Sequence, residues 1–259
     1  MGRVYALANQ KGGVGKTTTA VNLGAYLAQA GKHVLLVDVD PQANATSSLG
    51  VDKNALSRSI YDALIGAESL SGLVRLTGVV GLDLVPSSPA LAGAEVEMVD
   101  MPGRESRLRQ ALDTVRHRYD YVLIDTPPSL GMLTVNALTA SDGVLIPIQC
   151  EYLPLEGLTQ LLHTIELVRQ GLNPDLVVRG LILTMYDSRT NLARQVVEEI
   201  QQHFPSTVFR SIIPRSVKLS EAPSYGEPIA SYAPESSGGL AYASLCEEIM
   251  NGESYEGDV

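Results

Sequence analysis

The stretch Asn9-Gln10-Lys11-Gly12-Gly13-Val14-Gly15-Lys16-Thr17-Thr18 limits what this chain can fold into more than any other. An apolar run, Val4 to Ala8, precedes it, and Thr19 to Ala30 follows with the spacing of an amphipathic helix. A strand, a glycine turn and a helix in that order let successive backbone N–H groups curl around a phosphate, with the helix dipole favouring the anion. Lys16 then supplies a point charge to β- and γ-phosphates, and the Thr17 hydroxyl is placed to ligate magnesium. The usual pattern runs Gly, four residues, Gly-Lys-Ser/Thr. Here Gln10 stands at the first position, and a second lysine, Lys11, opens the segment Lys-Gly-Gly-Val-Gly-Lys-Thr.

With 259 residues and 45% hydrophobic content the chain can bury a sizeable core. Apolar runs alternate with helical patterns throughout, which predicts an α/β fold: a single doubly wound, mostly parallel sheet with helices on both faces, spanning residues 1–250. Strands are expected at Lys32 to Asp40, 82–86, 119–125, 143–148 and 177–184. Helices are expected at 59–65, 89–101, 105–117, 155–169 and 235–250. No apolar run approaches the length of a membrane span. The chain opens straight into a strand, so no signal peptide is expected and the cytoplasm is the default. Cys150 and Cys246 form neither a CxxC pair nor a Cys/His cluster and read as packed thiols.

Two apolar runs end in acids. Lys32 to Asp40 delivers Asp38 and Asp40 to one side as the strand runs out, and Tyr121-Val122-Leu123-Ile124 delivers Asp125. Ligands gather at the carboxyl ends of strands in open α/β sheets, so these acids should face the phosphates. Carboxylates beside a triphosphate repel it unless they serve magnesium or position water. Asp125 fits the Walker B role, holding magnesium or one of its waters.

Lys11 to Thr18 resembles the deviant P-loop of the ParA/MinD ATPases, and Asp-Val-Asp-Pro-Gln-Ala-Asn and Asp-Thr-Pro-Pro-Ser resemble that family's two switch segments. The resemblance implies ATP hydrolysis with Mg2+ in an ATP-dependent homodimer. Lys11 would reach the partner's nucleotide and Lys16 its own. Gly12, Gly13, Val14, Gly15, Thr17 and Thr18 would complete the cradle. Asp40 would orient the attacking water, with Asp38 nearer the magnesium shell. Glu151 reads either as a dimer or nucleotide contact or as an exposed loop acid.

The loop Ile212 to Gly226 resembles the chromosomal Soj-type branch rather than MinD. By that resemblance Pro214 and Arg215 lie beside the adenine, and Arg189 and Lys218, with Arg215, contact DNA phosphates. A net charge of −10 argues against nucleic acid, but residues 179–218 hold six basic residues against three acidic ones. Residues 251–259, with three acids and no base, read as a disordered tail that anionic lipid would repel. The function implied is DNA segregation: an ATP-bound dimer holds nonspecific double-stranded DNA on the nucleoid and releases it when a ParB-like partner stimulates hydrolysis. The alternatives are a membrane-associated positioning ATPase of the MinD or flagellar type and a ParA-like scaffold for a protein cargo.

Overall fold

A computed structural model describes residues 2–151 and 155–254. Among them runs one sheet of seven strands: β1 (Arg3–Leu7), β2 (Val34–Asp38), β3 (Arg75–Leu76), β4 (Leu82–Val85), β5 (Tyr121–Asp125), β6 (Gly143–Gln149) and β7 (Val177–Thr184). Their order is β3-β4-β2-β5-β1-β6-β7, and every pairing is parallel except β3 with β4. The expected doubly wound α/β sheet is therefore present, with a short antiparallel strand at one edge.

Alternation along the strands feeds two cores. Val4, Ala6, Leu35, Val37, Val122, Ile124, Val144 and Ile146 pack on one face against the helices Leu91–Glu97, Arg107–Asp113, Met132–Ala140, Leu155–Gly171 and Asn191–His203. Tyr5, Leu7, Val34, Leu36, Tyr121, Leu123 and Leu145 pack on the other against Lys16–Gln29 and Ser237–Ser254. Side chains of period two, apolar on both faces, are what a sheet covered twice requires. β1 lies inside the sheet between β5 and β6, so the loop leaving its carboxyl end opens at the middle of that edge.

Several boundaries differ from expectation. The helix expected over 105–117 is α-helical only over Arg107–Asp113, with 3-10 turns at Arg104–Ser106 and Arg116–Arg118, because Ser106 and Val115 leave helical φ (−114° and −127°). The helix expected over 89–101 is likewise Leu91–Glu97 followed by a 3-10 turn at Met98–Asp100. The loop expected at 212–226 contains the helix Val217–Glu221 and a 3-10 turn, Ala222–Tyr225. The last helix runs Ser237–Ser254, past the boundary expected at 250. There the Arg179 guanidinium reaches the Ile249 carbonyl oxygen (3.4 Å), and a Cβ at Gly252 would lie 2.4 Å from the same nitrogen. A cation at the final carbonyls favours continuing the helix. The rest of the expected tail, 255–259, lies outside the described residues.

Candidate functional site

The loop after β1 closes on itself. Asn9 donates to the Pro147 carbonyl on β6 (2.7 Å), and its side-chain oxygen accepts the Lys11 N–H (3.0 Å). Gly13 and Gly15 hold φ of +73° and +91°, the left-handed region that glycine enters without strain. Gly15 then starts the helix Lys16–Gln29. From β7 the Thr184 hydroxyl donates to the Val14 carbonyl (2.8 Å), pinning the loop from its far side.

Lys16 is buried, and its ammonium donates to the carbonyls of Asn9 (3.0 Å) and Lys11 (3.3 Å), folding back over its own loop. Burial lowers its pKa, opposed by the negative charge of Asp125 and Asp40. Lys11, by contrast, stands exposed with Gly12 and Gly13 on the rim.

The carboxylates divide into three environments. Asp125 and Asp38 are paired residues of neighbouring strands, both wholly buried. Asp125 accepts the Thr17 hydroxyl at 2.7 Å through one oxygen, while its other oxygen is buried with no partner. Burial first, then the Asp38 charge, push its pKa well above the usual carboxylate range. Asp38 is instead tied into the segment that follows: Thr46 donates both N–H (2.9 Å) and hydroxyl (2.7 Å) to one oxygen, and Asp40 N–H reaches the other (3.1 Å). Burial raises Asp38 to about 6 despite those bonds. Asp40, beyond the strand end, accepts the Gln42 N–H (2.9 Å) and lines an open cavity with the loop. Ala43, in the same turn, holds φ +50°.

That cavity, about 300 Å³, is bounded by Gly12, Gly13, Gly15, Lys16, Thr17, Thr18, Asp40, Gln42, Asn44, Pro128 and Met185. A second, about 280 Å³, adjoins it through Gly15, Thr18 and Met185 and is walled by Thr184, Ile213, Pro214, Arg215, Leu219 and Tyr242. The first is lined by the loop and Lys16, and the second has Ile213, Pro214, Leu219 and the Tyr242 ring among its walls. A phosphorylated nucleoside, a charged tail joined to a flat base, spans two adjoining cavities of this kind. Expectation from sequence named the loop, Asp40, Pro214 and Arg215, which the structure brings to these two cavities. It missed Met185, Asn44 and Tyr242. Tyr242 is buried on the last helix and shares a 3.0 Å hydrogen bond with Thr19, a contact that no local pattern signals.

The donor set suits a hard divalent cation. Among the described residues no three His, Cys, Asp or Glu side chains group to hold a metal. Magnesium needs only one or two carboxylates beside substrate phosphates, and the unpartnered buried oxygen of Asp125 beside the Thr17 hydroxyl meets that requirement.

Glu151 is partly buried at the exit of β6, accepts a bond from Gln149 (2.8 Å) and pairs with Arg215 at 3.2 Å. Arg189 is highly exposed and grips Asp187 through two nitrogens (2.8 and 2.7 Å). That grip, with a weaker contribution from the charge of Arg215, lowers Asp187 to about 2. Lys218 reaches Glu221 (2.9 Å) and lies over the Tyr232 ring. Arg189, Arg215 and Lys218 thus lie away from the loop cavity, on the rim formed by 186–189 and 214–220. Both cysteines are buried free thiols, pushed up to about 12 by burial. No helix among the described residues is long and apolar enough to cross a membrane.

Residues 2–178 match the family model of an AAA domain. The chain is 54% identical over 249 residues to the sporulation initiation inhibitor protein Soj of Bacillus subtilis, covering 96% of this chain and 98% of that one. It is also 54% identical over 248 residues to the chromosome-partitioning ATPase Soj of Thermus thermophilus, covering 96% and 95%. Among solved structures it superposes on cobyrinic acid a,c-diamide synthase from Mycobacterium smegmatis with bound ADP and magnesium, at TM-score 0.87 and 40% identity over 98% of this chain and 96% of that one. Agreement over nearly the full length with relatives of this kind identifies the chain as a member of the Soj/ParA family of chromosome-partitioning ATPases.

Proposed function

We propose that this chain hydrolyses ATP to control its hold on nonspecific double-stranded DNA during replicon segregation. The observation that carries the reading is the pair of adjoining cavities, one lined by the loop and Lys16, the other walled in part by Ile213, Pro214 and Tyr242. The triphosphate fits the first and the adenine the second. Two relatives at 54% identity, from Myxococcus xanthus and Thermus thermophilus, carry the chromosome-partitioning name, and they are more similar than the neighbour named for amide synthesis at 40%.

Each residue has a distinct task. The amides of Gly12 to Thr18 cradle the β-phosphate, and Lys16 turns from the carbonyls of Asn9 and Lys11 toward the β- and γ-oxygens. Thr17 and Asp125 would hold Mg2+, which would supply positive charge to offset what develops on phosphoryl transfer. Asp38 keeps the Asp40 to Thr46 segment in place through its three hydrogen bonds. Asp40 orients the water that attacks the γ-phosphorus. Lys11, exposed on the rim, crosses to the nucleotide of a second copy, so that two subunits enclose two ATP molecules.

Dimer closure sets Arg189, Arg215 and Lys218 of both copies along one duplex. Phosphate contacts of this kind bind without reading sequence, and doubling them by dimerisation raises the hold through avidity. A ParB-like partner stimulates hydrolysis and ends it. This places the protein in the cytoplasm, on the nucleoid.

The test is duplex binding by Asp40→Ala protein with ATP and with ADP across a salt series. Binding that requires ATP and falls steeply with salt is expected. ATP-dependent dimerisation with no DNA binding at low salt would refute the DNA reading and leave the ATPase assignment in place.

A further inference from the structure

The segment that carries Asp40 is tied down from the inside. The Ser87 hydroxyl donates to the Asp40 carbonyl (2.7 Å), and Asp38 accepts the Thr46 N–H and hydroxyl. Between those anchors lies a turn in which the Ala43 N–H donates to the Asp40 carbonyl (2.8 Å) and the Gln42 N–H to the Asp40 carboxylate (2.9 Å). Asp40, Gln42 and Asn44 of this segment line the loop cavity. The turn ends on Ala43 at φ +50° and ψ +44°, a left-handed conformation that a residue with a Cβ holds only at a cost.

A side chain from outside the turn meets it there. The Lys53 ammonium, from 11 residues downstream, donates to the Gln42 carbonyl at 2.6 Å. The peptide between Gln42 and Ala43 is thereby held at both ends, its N–H by Asp40 and its C=O by Lys53. Flipping that peptide is the motion that would carry Ala43 out of positive φ, since a flip turns ψ of one residue and φ of the next together. It would break both bonds. Lys53 itself stands on a fixed base. Leu49 and Val51 pack with the apolar residues of Lys16–Gln29. The Gly50 and Val51 N–H groups donate to the Ser47 and Thr46 carbonyls (3.0 and 3.2 Å). A Cβ at Gly226 would lie 2.7 Å from the Gly50 Cα, so the two backbones are wedged together.

We propose that Lys53 is a positioning residue for ATP hydrolysis: its bond to the Gln42 carbonyl keeps the peptide before Ala43 from flipping, and so keeps Asp40 aimed into the loop cavity. The inference rests on the reading of Asp40 above as the residue that orients the attacking water. Lys53 lines neither the loop cavity nor the base cavity, so nucleotide binding is left to the loop and Lys16. Without the ammonium the turn relaxes, the Gln42 N–H leaves the Asp40 carboxylate, and the water-orienting form is less populated. The effect falls on the chemical step rather than on the hold on ATP.

The experiment measures kcat and KM for MgATP on the full-length protein. The proteins are wild type, Lys53→Met, Lys53→Arg, Ala43→Gly and the Lys53→Met/Ala43→Gly pair. Lys53→Met is expected to lower kcat about fivefold, what one lost hydrogen bond is worth, with KM within about twofold. Lys53→Arg still presents N–H donors on a long side chain and should stay within about twofold of wild type. Glycine holds positive φ without strain, so beside Ala43→Gly the same Lys53→Met change should cost less than about twofold. Wild-type kcat in Lys53→Met, a loss confined to KM, an equal loss in Lys53→Arg, or an undiminished loss beside Ala43→Gly would overturn the proposal. A far lower urea midpoint for Lys53→Met would make the lysine a structural support and overturn it as well. Asp40→Ala, assayed beside them, separates the two readings. If Asp40→Ala loses turnover while Lys53→Met keeps it, Asp40 stands and the clamp falls; if Asp40→Ala turns over normally, both fall.

Discussion

Asp125→Asn should make the nucleotide-free protein more stable and a worse enzyme. The Asp125 carboxylate is wholly buried, accepts one hydrogen bond from Thr17, and has a second oxygen with no partner beside Asp38. Leaving a buried acceptor unsatisfied costs about 1–3 kcal/mol, and asparagine removes the charge while its carbonyl oxygen keeps the Thr17 bond. For a chain of this size about 1 kcal/mol moves the melting midpoint by about 2–4 °C, so a rise of about 2–12 °C is expected at pH 8. The gain has a defined pH dependence. Burial and mutual repulsion hold Asp125 and Asp38 above the usual carboxylate range, Asp38 at about 6. A carboxyl whose folded pKa lies above its unfolded value destabilises the fold fully above the folded pKa, and the penalty fades as pH falls toward the unfolded value. The advantage of Asp125→Asn should accordingly shrink between pH 8 and pH 5. Scanning calorimetry across that range, with and without MgATP, measures both effects, because the variant should also lose most of the stabilisation that MgATP gives the wild type. A variant that melts below wild type at pH 8, or whose advantage grows on acidification, would refute the claim that this carboxylate is held at a cost for its metal.

Other substitutions probe the surrounding parts. Lys16→Ala should abolish ATP binding measured by calorimetric titration, and wild-type affinity would remove Lys16 from the phosphate site. Thr46→Val deletes the hydroxyl that donates to Asp38 and accepts from the Ser87 N–H (2.7 and 2.9 Å); a loss of about 2 kcal/mol in urea unfolding is expected, with slower turnover as the Asp40 segment loosens. Gly180→Ala places a Cβ 2.2 Å from the Phe209 ring on the far part of β7. Overpacking of this kind costs about 1–3 kcal/mol, and ATP affinity should stay at the wild-type value; a neutral stability change would mean the ring can move aside.

How much of this was legible depended on whether the cause lay along the chain or across it. The run Val4 to Ala8, the glycines and the helix after them state a local instruction, and so do the apolar runs that end at Asp38 and Asp125. The helix Asn44–Ser48 was not legible, since Asn-Ala-Thr-Ser-Ser has weak helix preference and forms where Thr46 answers the buried Asp38. Strand alternation placed Asp38 toward the phosphates with Asp40, and it did not signal that both Asp38 oxygens accept from the following segment, from the Asp40 and Thr46 N–H groups and the Thr46 hydroxyl. Met185 and Ala43 adopt positive φ without being glycine, strain that surrounding contacts impose and composition does not record. Tyr242 meets Thr19 across nearly the whole sequence, and Glu151 meets Arg215 across β7 and the two helices that flank it.

The place of β1 inside the sheet has a consequence for synthesis. Its partners are Tyr121–Asp125 on one side and Gly143–Leu145 on the other, so β1 leaves the ribosome before either of its neighbours. At about 5–20 residues per second the nascent glycine loop waits on the order of ten seconds before either flank exists, with its apolar residues unprotected. A chain stalled before β5 carries the entire phosphate-binding signature and has no sheet on which to display it. Ribosome-bound fragments should therefore begin to retain ATP only after β6 and then β7 have cleared the exit tunnel, well after the loop itself has been made.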